Sequence, residues 1–360
     1  TGLVVVGAVG SDLRMEYSAL GDAINIAARM EQTAQPGTVQ ITDSTYKLVA
    51  PLFDFQPIDG LEVKGRAETM TAYRVIGRKA AAGSLRGIAG LSSPLVSRDR
   101  ELAQLTSALA ALEEGRGGIV TVMGEAGLGK SRLAAEARLA PKTEALRWLE
   151  GRSQSYERMT PYTPFRRALA TSFGLDPEWD GSRQYAGLKE TVESLLPGRG
   201  DEMAPFLAQA LELPVPPGDD ERIRFLQPPM LRGAVFQSVI GWLDTLAAAR
   251  PTVLYLDDLH WADPTSLELL HALMPLTDRR PLLLLLALRP RRDDASWQVH
   301  EAAARDYPHR YTAIALQPLD KAHARTLVSN LLTIDGLPET VRQLILDKSE
   351  GNPFFLEEVI

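Results

Sequence analysis

Gly124-Glu-Ala-Gly127-Leu-Gly129-Lys130-Ser131 gathers glycines, an ammonium and a hydroxyl into one short segment. Glycines let the backbone wrap closely and aim N–H groups at an anion. A helix starting behind such a loop adds a favourable field for negative charge. The spacing satisfies G-x-x-x-x-G-K-[ST], whose lysine reaches the outer phosphates of a nucleotide and whose hydroxyl ligates Mg²⁺. Gly124, Gly127, Gly129, Lys130 and Ser131 are therefore the candidate ATP contacts, and Ser131 is also a candidate Mg²⁺ ligand. The plainer alternative is a Gly-rich strand-to-helix turn with no ligand.

A second cluster is acidic. Val253-Leu-Tyr-Leu-Asp257-Asp258 is an apolar strand ending in two carboxylates. Ligands of open α/β sheets bind at the carboxyl ends of strands, so Asp257 is placed to hold Mg²⁺. Asp258 could polarise an attacking water. The plainer alternative is an acidic pair that caps the next helix. Asp263, before Pro264, reads as a helix cap, and His260 and Trp261 read as packing residues.

The third cluster lies near the N-terminus. Asn25 and Arg29 stand i,i+4 and share one helical face. An amide and a fixed cationic fork could clamp a ribose oxygen and a polyphosphate. On spacing alone the two read as an ordinary solvated polar pair.

The elements that must position these residues fall into two groups. Residues 1–78 read as a small α/β unit: a strand Gly2–Val9, a helix from Asp22 to Thr33, a strand Thr38–Thr42, and a helix capped by Asp43 or Ser44. Strands Phe53–Ile58, Leu61–Lys64 and Met70–Ile76 follow. Residues 79–94 have linker composition, rich in Ala, Gly and Ser. Beyond them, a helix Ser97–Glu114 precedes strands Gly118–Met123, Ala145–Glu150, Thr252–Asp257, Leu282–Leu288 and Tyr311–Leu316, with helical stretches between. That alternation implies a parallel sheet covered on both faces, with the wholly apolar Leu282–Leu288 as a central strand. The prolines at 214, 216, 217, 228 and 229 break the 155–250 segment into several helices with a loop near 214–220. After about 318 the chain reads as helical: Lys321–Leu332, Pro338–Lys348 and a start at Pro353.

Composition narrows the function classes. The chain has 360 residues, 45% hydrophobic and 24% charged, an ordinary globular balance. Its net charge of −7 indicates no nucleic-acid partner. It has no cysteine, which excludes disulfides and thiolate metal sites and fits the cytoplasm. Leu282–Leu288 is the longest apolar run, too short to span a bilayer. A start at Thr1 and an end at Ile360 inside an apparent helix suggest a piece of a longer protein.

Over about 95–360 the chain resembles the STAND class of AAA-related P-loop ATPases, through GEAGLGKS, LYLDDLHWADP, LLLLLALRP and GNPFFLEE. The resemblance implies a P-loop NTPase domain over 95–317, with the P-loop strand central in its sheet, and the start of a helical subdomain over 318–360. It also implies a nucleotide-controlled switch with slow turnover. It assigns Arg289 as a sensor arginine facing the γ-phosphate, and Pro353 of the Gly-x-Pro turn as a contact near the base. A solvated arginine is the plainer reading of Arg289, and a turn before a helix that of Pro353.

Over about 1–77, VVVGAVGSDLRMEYSALGDAINIAARMEQTAQPGTVQIT and LEVKGRAETMTAYRV resemble the C-terminal half of a class III nucleotidyl cyclase domain, which implies a partial ferredoxin-like fold. In that family the Asn and Arg of an N-x-x-x-R helix stabilise the transition state, here Asn25 and Arg29. Ser18 falls at the purine-selecting position and Lys64 at a phosphate contact. The family uses two metal ions, Mg²⁺ or Mn²⁺, on two aspartates in the first half of the domain, which the matched residues do not include. Cyclisation by these residues alone is therefore not expected. The family also builds its sites across a dimer, so a second cyclase domain is an expected partner.

Three functions remain open on the sequence. The first is an adenylate cyclase fused to a regulatory ATPase. The second is an ATP-driven switch or transcriptional regulator with a degenerate cyclase domain, acting on a protein partner that the sequence does not identify. The third is an unrelated P-loop ATPase with an accessory domain.

Overall fold

The computed structural model describes residues 5–11, 14–20, 22–50, 53–61, 70–78, 95–140, 145–331, 343 and 346–359. It divides into two compact units, Thr1–Ser93 and Pro94–Ile360.

In the first unit, β1 (Val5–Ser11) and β2 (Arg14–Leu20) form an antiparallel hairpin that pairs Gly7 with Ser18. β2 has no counterpart in the sequence reading. Its signal is the alternation of Met15, Tyr17 and Ala19 with polar neighbours, the period of a strand. A helix over Asp22–Thr33 follows, as expected. Then come β3 (Val39–Thr42), a helix Asp43–Val49, β4 (Phe53–Leu61) and β5 (Met70–Arg78). Thr42, rather than Asp43 or Ser44, caps the second helix, accepting from the Thr45 N–H at 3.3 Å. Asp43 takes the first turn instead, where a carboxylate suits the dipole. The last three strands form an antiparallel sheet in the order β3-β5-β4. Phe53–Leu61 is one strand with register shifts at Asp54/Phe55 and Ile58/Leu61; of the expected strand Leu61–Lys64 only Leu61 lies within the described residues. Tyr46 stacks on Tyr73 at 3.8 Å and meets Phe55 edge-on, which fixes the second helix to the sheet.

The second unit carries a five-stranded sheet of β6 (Gly118–Met123), β7 (Arg147–Arg152), β8 (Thr252–Asp257), β9 (Leu282–Leu288) and β10 (Tyr311–Ala315). Every pairing is parallel and the order is β10-β6-β9-β8-β7. The strand leading to the glycine loop, β6, is flanked on both sides, but the middle position belongs to β9. The expectation of a central β6 is corrected to that extent. β9 is apolar at every position because both its faces are buried. Leu282, Leu284, Leu286 and Leu288 enter one core, and Leu283, Leu285 and Ala287 enter the other.

The two cores differ in size. On one face, helices Asp99–Glu113 and Lys130–Arg138 supply Leu105, Leu109, Leu112, Leu133 and Ala137. On the other, the 155–250 segment folds into helices Thr163–Ser172, Gly181–Leu195, Gly200–Leu211, Pro217–Arg224 and Pro228–Ala249. Trp242 is fully buried there, stacked on Phe173 at 4.4 Å, with its indole N–H donated to Ser172 at 2.8 Å. The expected loop near 214–220 is shorter than the sequence suggested, because Pro217 opens a helix instead of breaking one. A helix covers Lys321–Leu331 and another begins at Pro353. Most of the expected helix Pro338–Lys348 lies outside the described residues. Among the described residues no helix is long and apolar enough to cross a membrane.

Candidate nucleotide site

β6 ends at Met123, and the chain turns through the glycine loop into the helix Lys130–Arg138. Two positions in the turn require glycine. Gly127 and Gly129 have φ of 83° and 90°, where a side chain is strained. A β-carbon on Gly127 would also collide with Asn352 and Phe354. Gly124 donates to the Leu288 carbonyl at 3.3 Å, tying the loop's start to the end of β9.

Lys130 is 7% exposed, and its ammonium donates to the Gly124 and Glu125 carbonyls at 2.8 and 3.0 Å. Burial lowers its pKa, while Asp258 and Asp257 oppose that shift. Ser131 Oγ donates to Asp257 Oδ2 at 2.8 Å. This contact joins two motifs 126 residues apart in sequence. Asp257 is 6% exposed, and its other oxygen accepts from the Asp258 N–H at 2.9 Å. Burial and the neighbouring Asp258 raise the Asp257 pKa. Arg152 Nε, 4.0 Å from Asp257 Oδ2, offsets this only in part, so a cation between Asp257 and Ser131 would be favoured.

Asp258 is held differently. It sits at φ 55°, a left-handed conformation unusual outside glycine. Its carboxylate accepts from Arg152 Nε and Nη2 at 3.0 and 2.6 Å. Arg152 is paired in register with Asp257 on the neighbouring strand. The sequence reading missed Arg152, which the expected strand Ala145–Glu150 left out and which the observed strand includes. The proposed water-polarising role of Asp258 must therefore operate from within an ion pair.

Arg289 follows the last residue of β9. Its guanidinium lies 5.9 Å from the Trp261 ring centre, and its Nε is buried without a protein partner. Arg158 lies 4.9 Å from the same ring. His260 is 4% exposed, and neither ring nitrogen has a protein partner. Burial, then Arg289, lowers its pKa to about 4. Asp263 caps the helix Pro264–Leu273 as expected, accepting from the Ser266 N–H at 2.9 Å.

The Gly-x-Pro turn docks on the glycine loop. Asn352 donates to the Ala126 carbonyl at 2.8 Å, and the Phe354 N–H donates to Gly127 at 3.3 Å. Beside the loop is a cavity of about 580 Å³, lined by Gly124, Leu316, Trp297, Asn352 and Phe355 among others. Pro353 is not in its lining, so the residues of this turn that reach the cavity are its neighbours. Asn352 and Phe355 line the cavity, and Pro353 starts the helix that follows the turn.

The described residues contain no group of three or more His, Cys, Asp or Glu placed to hold a metal.

In the first unit the helix Asp22–Thr33 carries Asn25, exposed, and Arg29, half-buried. The helix is anchored by buried Met30 and by the Gln40 amide, which donates to Thr33 at 2.9 Å. Ser18 lies on β2, opposite Gly7. Lys64 lies outside the described residues.

Comparison with known proteins follows the same division. The family model for the AAA ATPase domain matches residues 94–285, and that for the adenylate and guanylate cyclase catalytic domain matches residues 1–77. An uncharacterized protein of Rhizobium meliloti is 25% identical over 94% of this chain, which covers 32% of that protein. An adenylate cyclase of Mycobacterium bovis is 43% identical over 24% of this chain and 20% of its own length. Adenylate cyclase type 10 of Oryctolagus cuniculus is 23% identical over 100% of this chain and 22% of its own length. The chain thus spans a third or less of the length of these relatives. Among solved structures, the guanylate cyclase domain of RhGC from Catenaria anguillulae in complex with GTP is 42% identical over 21% of this chain and 41% of that one, with a TM-score of 0.20. The Aeropyrum pernix ORC1 protein in complex with DNA is 13% identical over 74% of this chain and 59% of that one, with a TM-score of 0.45.

Proposed function

The chain belongs to the AAA ATPase domain family and carries an N-terminal segment matching the adenylate and guanylate cyclase catalytic domain; from that premise, we propose that it is part of an adenylate cyclase regulated by a STAND-type ATPase module. The carrying observation is the 2.8 Å contact between Ser131 and Asp257, which brings the phosphate loop and the acidic strand end to one point.

ATP fits this point. Its phosphates suit the N–H groups of the loop, and the adjoining cavity has room for a base. Ser131 and Asp257 would hold Mg²⁺, which when bound neutralises phosphate charge. Lys130 has the reach to leave the Gly124 and Glu125 carbonyls for the outer phosphates. Asp258, oriented by Arg152, is the group placed to align a water for slow hydrolysis. Arg289 answers to the γ-phosphate. The turn at Asn352 lies directly on the loop, so nucleotide occupancy and the placement of the C-terminal helical segment are coupled through it.

In the cyclase segment, Asn25 and Arg29 are the transition-state groups, with Ser18 at the purine and Lys64 at the phosphates. The segment needs the metal aspartates of the domain's first half and a second cyclase domain. The product is cyclic AMP with pyrophosphate.

The experiment is a titration of the chain with MgATP alongside Lys130→Ala, with circular dichroism as the check on folding. Binding is expected to fall below detection in the variant while the spectrum is unchanged. Equal binding by the two proteins would remove the site from the loop.

A further inference from the structure

His260 sits in the short turn Leu259–Trp261, just past the acidic pair. On its sequence it is a packing residue, and its burial agrees with that. Its hydrogen bonding does not. A neutral imidazole carries one donor and one acceptor, and here both ring nitrogens are buried without a protein partner. Buried polar groups are almost always paired, so this ring has capacity for a buried water or a ligand. Arg289 Nε is a second buried group without a protein partner beside the same turn.

The surroundings say what that partner is. The ring lies within electrostatic range of Lys130, Asp258, Arg289 and Arg291. Lys130 and Arg289 are the cations assigned above to the outer phosphates. Burial and these cations keep the ring neutral at pH 7, so it retains one N–H to give and one lone pair to receive. An anionic oxygen that accepts from the N–H satisfies the donor, and a water between that oxygen and Asp258 satisfies the acceptor.

We propose that His260 reads the terminal phosphate of the bound nucleotide, donating a ring N–H to a γ-phosphate oxygen or to the water that bridges to it. The inference rests on the Lys130–Ser131–Asp257 reading of the site. It assigns His260 as a positioning residue that separates a triphosphate from a diphosphate.

The test is the ratio of affinities for MgATPγS and MgADP, measured by calorimetry on the chain, on His260→Phe and on His260→Gln. Phe keeps the ring's volume and removes its hydrogen bonds, whereas Gln keeps a donor and an acceptor. His260→Phe is expected to weaken MgATPγS about tenfold and leave MgADP unchanged, with Gln recovering most of the loss. Equal weakening of both nucleotides, or of neither, overturns the proposal. If neither variant folds, as read by thermal melting, the ring is a packing residue and the proposal falls. Failure of the unsubstituted chain to bind either nucleotide strikes the loop assignment itself, a distinct outcome.

Discussion

In the ATPase unit Ser131, Asp257, Asp258 and Arg152 already touch one another, while in the N-terminal unit Asn25 is exposed and Arg29 half-buried on the surface of a single helix. In the first arrangement Asp257 is buried and the other three are partly buried, and its charges are either paired or shifted in pKa by their surroundings. The second leaves its polar groups facing outward. A site completed within one sheet is preorganised by the strands that carry it. A site that needs a further domain must leave its groups accessible until that domain arrives.

The sharpest way to break this contrast is at Arg29. In the adenylate cyclase proposed above, Arg29→Ala is expected to lower cyclic AMP formation by about 10²–10³-fold, the usual scale for removing one transition-state donor. Nucleotide binding at Lys130 should stay unchanged. A protein that makes no cyclic AMP before substitution would leave the ATP-driven switch as the reading. A smaller effect is expected within the ATPase unit. Asp257→Asn should weaken MgATP binding by about 10–100-fold and erase most of its dependence on Mg²⁺. Titrations with and without EDTA check this, and an unchanged Mg²⁺ dependence would remove Asp257 from the metal. The smallest effect is expected at Arg152. Its pair with Asp258 is partly exposed, so Arg152→Ala should cost the fold about 0.5–1 kcal/mol in thermal or urea unfolding. ATP turnover should fall severalfold if the pair orients Asp258. An unaffected rate would make the pair purely structural.

The sequence was most readable where a local rule suffices. The glycine loop announces itself because φ values near 90° at Gly129 and a helix start behind it demand particular residues in a particular order. β9 was legible because burial on both faces leaves no polar position. β2 was overlooked although Met15, Tyr17 and Ala19 alternate as a strand should. Arg152 offered no local signal, since an arginine at a strand end is ordinary until register sets it beside Asp257.

By itself, then, the sequence determined the residue types the chemistry needs and the αβ alternation that builds a parallel sheet. Both follow from local backbone geometry and from the periodicity of burial. Tertiary structure alone decided which distant groups meet. The order β10-β6-β9-β8-β7 places β9 and not β6 in the middle, and Arg152 on Asp258. The docked turn set Asn352 against Ala126, and packing left His260 buried with both nitrogens free of protein partners. Strand order and docking are set by how whole faces bury one another, which no window of local sequence contains.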